Sequence, residues 1–469
     1  MSAGPVSDVP ESEDRRPSAI VASRGTLRPL VRLAAPVVTE QLLAMMVMLV
    51  DVFLVGRYLG GDDALAAIGL MAYTMWLLTS VFEFISIGTT AIVARCIGAG
   101  ERDEAARIAN QSLLIGVVVA AVVWLGGGWI ADDFVALLQL EGTAAALAVR
   151  YLDYIWPVMP MMMIERVGIA CLRASGNMVI VFLVMSIVNV VNVVVSAVYA
   201  TGWAGFPALG WDGVAIGTAA AHVVGGLLLL ALLGRGYDGL KITREIFRPD
   251  LPRIRRILRI GVPGGVDVLS VIGCHLIFLS LINGLGTAAA AAHNVAVRLE
   301  SMAFLPGAGI AVAATTLTGQ FLGAGDRRRA SRALLVACLV GSAVLAGVGF
   351  VFWFGGYQLA STFVSAGEQE VARQAAALLK IAAYAMVPLA LQMILTGGLR
   401  GAGDTRWPLF FSLIGLLGLR IPLAYVLSAP GLGNLGVEGA WWAMLIDLSV
   451  RCGLIVWRFR HGGWQRVRV

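Results

Sequence analysis

The sequence predicts an all-α polytopic membrane protein with twelve transmembrane helices in two six-helix lobes related by a parallel internal repeat. Three observations predict this fold. Of the 469 residues, 59% are hydrophobic and only 14% are charged, whereas soluble domains are about 45–50% apolar and about 25% charged. Twelve apolar runs are long enough to cross a bilayer, and the two halves of the chain resemble each other. Most of the chain is therefore expected to lie in hydrocarbon.

The twelve runs are each close to the roughly 17–25 residues that a helix needs to cross a bilayer. Their predicted limits are 30–55, 64–88, 108–130, 145–171, 178–200, 213–234, 258–283, 288–313, 331–354, 376–399, 407–428 and 438–458. Prolines fall inside several of these spans, among them Pro36, Pro263, Pro306, Pro388 and Pro422. Because neighbouring helices can bond the freed backbone groups, we expect kinks at these prolines rather than breaks.

The loops predict the orientation of the spans. Arg and Lys are concentrated in the two tails and in one alternating set of loops, at 95–107, Arg173, 235–259, 327–332, Arg400 and Arg406. The other set of loops holds little beyond Arg57, Arg150 and Arg373. Since cytoplasmic loops carry the excess of Lys and Arg, both termini are predicted to be cytoplasmic, as an even number of spans requires. The net charge of +6 is then a topology signal, and nucleic acid is not an expected partner.

The two halves match at a shift of about 226 residues. Four segments match in the same order: "AAPVVTE" (34–40) with "GVPGGVD" (261–267), "CIGAGERDEAARIA" (96–109) with "FLGAGDRRRASRAL" (321–334), "CLRASGN" (171–177) with "GLRGAGD" (398–404), and "LGWDGVAIG" (209–217) with "LGVEGAWWA" (435–443). Because six is an even number, both halves have the same orientation and are related by an axis along the membrane normal. That arrangement is typical of transporters with a substrate site between the halves, and a duplicated channel or membrane enzyme is the alternative.

These features divide the chain into five predicted regions. They are a disordered cytoplasmic tail (1–26), an N-terminal lobe of six helices (27–234), a cytoplasmic linker (235–257), a C-terminal lobe of six helices (258–460) and a cytoplasmic tail (461–469). The first region is polar and contains no apolar run of the kind found in signal peptides.

Ionisable residues inside membrane spans are functional hypotheses because they are expensive to place in lipid. Asp51 lies near the end of the first span, and an Asp at the centre of a membrane helix costs roughly 3 kcal/mol on the insertion scale. At about 100° per residue, Glu40 falls within about 20° of the helix face that carries Asp51. Both acids follow Pro36, which we expect to act as a hinge.

The fifth and sixth spans supply polar groups that would converge on Asp51. Four polar residues on the fifth span recur at i, i+3, i+6 and i+10 and form one stripe: Ser186, Asn189, Asn192 and Ser196. On the sixth span, Thr218 and His222 share a face at i, i+4. The alternative is that the stripe only joins helices through hydrogen bonds, each worth about 0.6–2 kcal/mol.

Several segments resemble the multidrug and toxic compound extrusion (MATE) family. They include "VDVFLVGRYLG" (50–60), "LRASGN" (172–177), "AAHNVAVRLESMAFLPGAG" (291–309), "ATTLTGQFLGAGD" (314–326) and "GGLRGAGDTRWP" (397–408), and the resemblance extends over about residues 28–460. It implies two six-helix lobes, an outward-opening cleft, and efflux of drug-like compounds in exchange for H+ or Na+.

The resemblance also implies an ion-coupling site. In similar proteins an Asp at the position of Asp51 binds the coupling ion together with an Asn on the fifth helix, which corresponds to Asn192, and a Thr on the sixth, which corresponds to Thr218. A second Asp in those proteins corresponds to Ser196, so this chain has lost one negative charge. The single acid favours H+, and Na+ bound at Asp51 with neutral oxygen ligands is the alternative. No other metal site and no cofactor are expected.

The C-terminal lobe departs from the NorM-like branch of the family as well. Val271 and Leu389 stand where that branch carries acids. The remaining candidates for secondary coupling or cavity lining are Glu40, Asn189, His222, Asp267, His275, His293, Glu300 and Gln392. The pair His275 and His293 would be able to carry protons near neutral pH, and hydrogen bonding to neighbouring helices is the alternative role.

The predicted function is a secondary active antiporter that exports drug-like or toxic organic compounds, cations among them, in exchange for H+ or Na+ by alternating access. It is expected to be a monomer in the inner membrane of a prokaryote, in contact with lipid, and not an enzyme. A flippase of lipid-linked precursors is the alternative, although only Arg298 and Arg420 would supply positive charge to its cavity. A membrane-embedded enzyme would need a cluster of catalytic residues at one depth, which the sequence does not contain.

Overall fold

The computed structural model describes residues 18–59, 62–137, 142–364, 368–429 and 431–469. Within these ranges the chain is almost entirely helical, and twelve helices are long and apolar enough to cross a membrane. In chain order they are α1 (Leu27–Leu54), α2 (Asp62–Ala99), α3 (Arg102–Leu137), α4 (Gly142–Ser175), α5 (Met178–Thr201), α6 (Trp211–Gly234), α7 (Leu251–Asn283), α8 (Thr287–Gly323), α9 (Arg327–Ser361), α10 (Gln369–Gly401), α11 (Arg406–Ser428) and α12 (Gly436–His461).

Each of the twelve predicted spans corresponds to one of these helices, so the predicted fold class is confirmed. Several helices begin earlier than the apolar pattern indicated. Helix α7 begins at Leu251, because the side chain of Asp250 caps it by accepting a hydrogen bond from the Arg253 amide at 3.1 Å. This hydrogen bond lowers the pKa of the Asp250 carboxyl group. Hydropathy marks only the part of a helix that lies in hydrocarbon, whereas the helix itself continues into polar surroundings.

Three of the helices contain irregular turns. Helix α1 continues into a π-helix at Val55–Leu59, and α4 is interrupted by a 3-10 turn at Trp156–Val158. Helix α11 passes through a π-helix at Ile414–Arg420, directly before Pro422. Proline lacks the amide that an α-helix requires, and its ring presses on the carbonyl group four residues earlier, here that of Gly418. A local π-helix accommodates this conflict within a continuous helix.

Helices α1–α6 form the N-terminal lobe and helices α7–α12 form the C-terminal lobe. Helix α1 packs on α8, the equivalent helix α7 packs on α2, and α2 packs on α8. The internal repeat relates α1 to α7 and α2 to α8. The first two contacts are therefore equivalent, and the third joins two equivalent helices at the axis between the lobes. The backbones approach closely at these contacts, since a Cβ atom on Gly309 would lie 3.1 Å from the backbone nitrogen of Val38.

The predicted linker is attached to α3 by two buried side chains of that helix. The buried Asn110 donates from Nδ2 to the carbonyl group of Lys241 at 2.9 Å and accepts from the Thr243 amide at 3.1 Å. The buried Gln111 accepts from the Asp250 amide at 2.9 Å. These side chains satisfy backbone groups that lie outside any helix, so residues 235–250 form an ordered connection between the lobes.

One end of the bundle collects both chain ends and the arginine-rich loops, and we call it the basic face. Near the C-terminus, the carbonyl group of Val467 accepts a hydrogen bond from Arg95 at the end of α2, at 2.8 Å. Near the N-terminus, the hydroxyl group of Ser18 donates to Gln320 at the end of α8, at 2.7 Å. The first and the last parts of the described chain therefore lie on the same side of the molecule, as an even number of spans requires.

Most of the predicted N-terminal tail, residues 1–17, lies outside the described residues. Residues 18–25, which we call the N-terminal segment, are ordered and include a helical turn at Ala19–Ala22. The guanidinium group of Arg329 on α9 donates to the carbonyl groups of Val21 at 2.7 Å and Gly25 at 3.2 Å. The predicted disorder therefore does not extend to the N-terminal segment, because Arg329 bonds its free backbone oxygens.

Candidate functional site

Asp51 lies on α1, one turn before the π-helix Val55–Leu59 and toward the end opposite the basic face. Its side chain is half-buried, and its Oδ1 atom is fully buried with no hydrogen-bond partner among the described residues. Helix α1 packs against α5 in this lobe. The carboxyl group of Asp51 is thus placed among helices of the N-terminal lobe rather than in an ion pair.

Thr218 of α6 is the point where three helices of this lobe are joined by side chains. Its Oγ1 atom accepts hydrogen bonds from the Tyr151 hydroxyl of α4 at 3.1 Å and from Asn192 Nδ2 of α5 at 3.2 Å. Thr218 donates its own hydroxyl proton to the Val214 carbonyl group at 3.3 Å. All the hydrogen-bonding capacity of the hydroxyl group is therefore used to hold α4, α5 and α6 together.

Ser196 lies one turn after Asn192 on α5 and is completely buried. It packs directly on Gly217 of α6, where a Cβ atom would lie 2.7 Å from the Ser196 backbone nitrogen. Neither Ser196 Oγ nor Asn192 Oδ1 has a hydrogen-bond partner among the described residues. We refer to Asp51, Tyr151, Asn192, Ser196 and Thr218 as the N-lobe polar cluster.

Tyr151 is the member of this cluster that the sequence did not predict. Its hydroxyl group donates to Thr218 Oγ1 and so joins α4 to α6. The Tyr151 ring packs on Trp211, with ring centroids 6.0 Å apart, and the indole of Trp211 donates to the Leu147 carbonyl group. A tyrosine in an apolar helix is usually a packing residue, so nothing in the sequence distinguished it.

His222 and Asn189 do not join the N-lobe polar cluster through any hydrogen bond between described residues. The ring of His222 is paired instead with Glu165 of α4, at 2.9 Å between Nδ1 and Oε2, and Glu165 is almost completely buried. Asn189 is buried on α5, and its Nδ2 atom has no partner within the described part of the chain. Of the predicted polar partners, Asn192 and Thr218 are hydrogen-bonded, Ser196 is adjacent, and His222 belongs to a separate pair.

Glu40 and Asp267 occupy equivalent ion pairs near the basic face. Arg173 donates to Glu40 at 2.7 Å in the N-terminal lobe, and Arg400 donates to Asp267 at 2.7 Å in the C-terminal lobe. The two carboxylates are buried and the two arginines come from the matching segments "LRASGN" and "LRGAGD". Glu40 therefore pairs with α4 close to the hinge candidate Pro36, although it shares a helix face with Asp51.

The histidines of the C-terminal lobe are surrounded by aromatic rings. His293 is buried, and its Nδ1 atom accepts from the indole of Trp441 at 3.2 Å. The His293 ring packs on Phe278, with centroids 6.0 Å apart. His275 contacts Trp76 of α2 edge-on, at 6.2 Å between centroids. Phe278 is the repeat partner of Asp51, so the position of the N-lobe acid is apolar in this lobe.

A buried ionic network lies on α11 and α12. Asp447 is fully buried and accepts from Arg420 at 2.9 Å and from Arg451 at 2.8 Å. Asp447 and Arg451 are one helical turn apart on α12, at i, i+4. Glu300 on α8 and Gln392 on α10 are both half-buried. The candidates of this lobe are thus distributed over separate environments.

Among the residues that the structure describes, no group of three or more His, Cys, Asp or Glu side chains is arranged to hold a metal ion. The N-lobe polar cluster instead combines one carboxyl group with neutral hydroxyl and amide groups. Buried polar atoms normally have hydrogen-bond partners. Asp51, Asn192 and Ser196 are exceptions, since each has a buried side-chain oxygen without a partner among the described residues.

Comparisons with known proteins agree with this architecture. The MatE family model matches residues 36–198 and 263–426, once in each lobe. The chain is 27% identical over 445 residues to a "Probable multidrug resistance protein NorM" from Thermotoga maritima, covering 94% of this chain and 93% of the relative. It is 29% identical over 441 residues to a protein of the same name from Bradyrhizobium diazoefficiens, covering 92% of each chain.

A solved structure with the same fold is the outward-facing conformation of a multidrug resistance MATE family transporter of the MOP superfamily. It aligns with a TM-score of 0.88 and 21% sequence identity, covering 97% of this chain and all of that one. At this identity the likeness concerns the fold, and it includes both six-helix lobes.

Proposed function

Because the chain belongs to the MatE family, we propose that it is a secondary active antiporter that exports drug-like or toxic organic compounds in exchange for H+. Its curated relatives are named as multidrug resistance proteins of bacteria. We place it in the inner membrane of a prokaryote with the basic face in the cytoplasm, since cytoplasmic loops carry the excess of Lys and Arg. Its substrates would be small organic molecules, cations among them.

The observation that supports this proposal is a buried carboxyl oxygen of Asp51 without a hydrogen-bond partner among the described residues, in the lobe whose α4, α5 and α6 are joined at Thr218. Thr218 uses its full hydrogen-bonding capacity on Tyr151, Asn192 and Val214. Asp51 is the member of the cluster that carries a carboxyl group. It has no basic partner in the cluster among the described residues. Protonation at Asp51 would change the charge of this part of the lobe from −1 to zero.

The proposed mechanism couples that charge change to the shape of α1. An ionised carboxylate is costly in a water-poor environment, and protonation removes most of the cost. Pro36 has no amide to donate to the Arg32 carbonyl group, so α1 can bend there more easily than a regular helix. Proton entry from outside would therefore allow α1 to repack against α5, and the substrate site would change with it. The proton and the substrate would then act on the same two-state element, helix α1, and their transport would be coupled through it.

Na+ is the alternative coupling ion. Hard cations bind oxygen ligands, and the N-lobe polar cluster has three buried oxygens without a partner among the described residues, on Asp51, Asn192 and Ser196. The serine supplies a neutral hydroxyl group, so the cluster contains a single negative charge. A single charge matches one H+ by direct protonation, whereas Na+ would depend on the neutral ligands for most of its coordination.

The decisive experiment measures efflux of a fluorescent organic cation, such as ethidium, from proteoliposomes under an imposed pH gradient and, separately, an imposed Na+ gradient. We expect efflux to follow the pH gradient. The variant Asp51→Asn should lose efflux while keeping the apparent melting temperature of the wild type. Asp153→Asn, which neutralises an exposed carboxylate on α4, is the matched control and should transport normally. Full efflux by Asp51→Asn would overturn the assignment of Asp51.

The structure gives the alternative of a lipid-linked precursor flippase little support. Such a protein needs free positive charge in its cavity to hold a pyrophosphate group. Arg420 already shares Asp447 with Arg451, and Arg298 is exposed on α8. A lipid-flipping assay in the same proteoliposomes would separate the two activities.

A further inference from the structure

A cavity of about 800 Å³ opens on the basic face of the N-terminal lobe. It lies among the N-terminal segment, the beginning of α1, the end of α2 and the beginnings of α3 and α5. Four arginines line it: Arg24, Arg28, Arg32 and Arg102. None of them belongs to the N-lobe polar cluster, so the proposed transport mechanism does not account for the cavity.

The charge of this cavity is strongly positive. Arg28 and Arg32 lie one turn apart on α1, and Arg102 is the first residue of α3. Among the described lining residues, Asp238 is the only carboxylate, and it accepts a hydrogen bond from the Ser175 hydroxyl at 2.7 Å. Within the described part of the chain, no carboxylate lies within ion-pair distance of any of the four arginines. As far as the described residues are concerned, their guanidinium groups are therefore available to an anionic ligand.

The walls of the cavity are partly apolar and continue into an apolar outer surface. Leu33 and Met178 are buried lining residues at the beginnings of α1 and α5. Beside them, Leu27 and Val31 on α1 and Val179 on α5 are each about half exposed. Helices α1 and α5 pack on each other, so a cationic opening lies next to a surface suited to acyl chains.

We propose that this cavity binds the phosphate headgroup of an anionic phospholipid from the membrane leaflet on the basic face. Guanidinium groups bind phosphate oxygens through paired hydrogen bonds. The cytoplasmic leaflet is rich in anionic lipids, and basic pockets between helix ends on that side are suited to their headgroups. The proposal shares with the proposed function only the cytoplasmic placement of the basic face.

A lipid bound here would contact elements that belong to both lobes. The N-terminal segment forms one wall, and it is hydrogen-bonded to the C-terminal lobe through Gln320 and Arg329. The opposite walls, formed by α1 and α5, belong to the N-terminal lobe. The bound headgroup therefore bridges the lobes on the basic face and stabilises the arrangement in which they are closed there.

The test uses full-length protein purified in detergent and stripped of lipid. Dioctanoyl phosphatidylglycerol is titrated while the apparent melting temperature is recorded, with dioctanoyl phosphatidylcholine and inorganic phosphate as comparison probes. The double variant Arg28→Gln/Arg32→Gln removes two cavity arginines. Its matched control is Arg255→Gln/Arg259→Gln, which removes the exposed repeat partners on α7 that do not line this cavity.

We expect phosphatidylglycerol, and not phosphatidylcholine, to raise the melting temperature of the wild type and of the α7 control. The cavity variant should need about 30-fold more phosphatidylglycerol for the same shift. Equal weakening in both double variants would show a general effect of surface charge and overturn the site. A full shift with inorganic phosphate alone would identify a free anion and overturn the lipid.

A second variant keeps the test informative if the double variant does not fold. Arg102→Gln removes the cavity arginine that belongs to α3 and leaves α1 unchanged. It should also weaken phosphatidylglycerol binding. Native mass spectrometry of protein purified from membranes supplies an independent readout. One more phosphatidylglycerol should remain bound to the wild type than to Arg102→Gln, and equal numbers would contradict the proposal. Neither readout depends on transport, so failure here is distinguishable from failure of the antiport proposal.

Discussion

Arg173 of α4 donates to the buried carboxylate of Glu40 on α1 at 2.7 Å, and the internal repeat reproduces this ion pair in the other lobe between Arg400 and Asp267. The repeat does not reproduce Asp51, whose partner position is occupied by Phe278. The two lobes thus share the contacts that fasten their helices near the basic face and differ where the N-terminal lobe carries its isolated carboxyl group. The shared ion pair favours a structural role for Glu40 and Asp267, and the unshared acid is the one that we propose for coupling.

The ion pair between Glu40 and Arg173 should contribute to folding rather than to coupling. Glu40→Gln leaves a largely buried guanidinium group without its charge partner, and such a loss costs about 3–5 kcal/mol. The apparent melting temperature should fall clearly. Glu370→Gln removes one partner of an exposed pair whose side chains are 61% and 67% accessible, and such pairs contribute about 0–1 kcal/mol. Loss of efflux by Glu40→Gln with an unchanged melting temperature would instead indicate a coupling role.

Tyr151 should be needed for efficient efflux. Tyr151→Phe removes the hydroxyl group that donates to Thr218, while keeping the ring that packs on Trp211. One hydrogen bond contributes about 0.5–1.5 kcal/mol to folding, so the variant should fold. Efflux under a pH gradient should fall several-fold. Tyr154→Phe on the same helix is the control, and equal activity of the two variants would exclude a specific role for the Tyr151 hydroxyl group.

The close contact between α5 and α6 should not tolerate a methyl group at Gly217. A Cβ atom there would lie 2.7 Å from the backbone nitrogen of Ser196, and overpacking of this kind costs about 1–3 kcal/mol. Gly217→Ala should therefore lower the melting temperature and reduce efflux by displacing Ser196. Gly234→Ala, at the end of the same helix, meets nothing within 4 Å and should behave like the wild type. A neutral result at Gly217 would mean that α5 and α6 can separate freely.

The hinge role of Pro36 is tested by Pro36→Ala. Alanine restores the amide that can donate to the Arg32 carbonyl group and favours a straight helix. We expect efflux to decrease while the melting temperature stays the same or rises. Pro263→Ala is the matched control on α7, which carries Phe278 in place of the coupling acid. If both variants lose efflux equally, bending of α1 at Pro36 has no special part in coupling.

The polar stripe on the fifth span shows how far helical periodicity can identify a site. Spacing placed Asn192 and Ser196 on one face of α5, and the structure places both against α6. The same reasoning placed His222 beside Thr218, but its ring is paired with Glu165. Periodicity specifies the face of a helix on which a side chain lies. It does not specify which residue of another helix the side chain contacts.

The number of spans, the common side of both chain ends and the repeat were determined by the sequence alone. Each depends on hydropathy, on the distribution of arginines or on self-similarity, and all three are properties of the order of residues. The ends of the helices were less well determined, since capping by Asp250 and the π-helix before Pro422 depend on local hydrogen bonding.

Only the tertiary structure decided which of the ionisable residues are paired. Glu40 and Arg173 are separated by 133 positions in the chain, and Tyr151 and Thr218 by 67. A single sequence records no contact between residues that far apart. In a membrane, however, the energetic consequence of an acid depends on whether a base or a donor lies beside it. Among the described residues, Glu40 is therefore paired with Arg173 and Asp51 Oδ1 has no partner, although both acids lie on one face of the same helix.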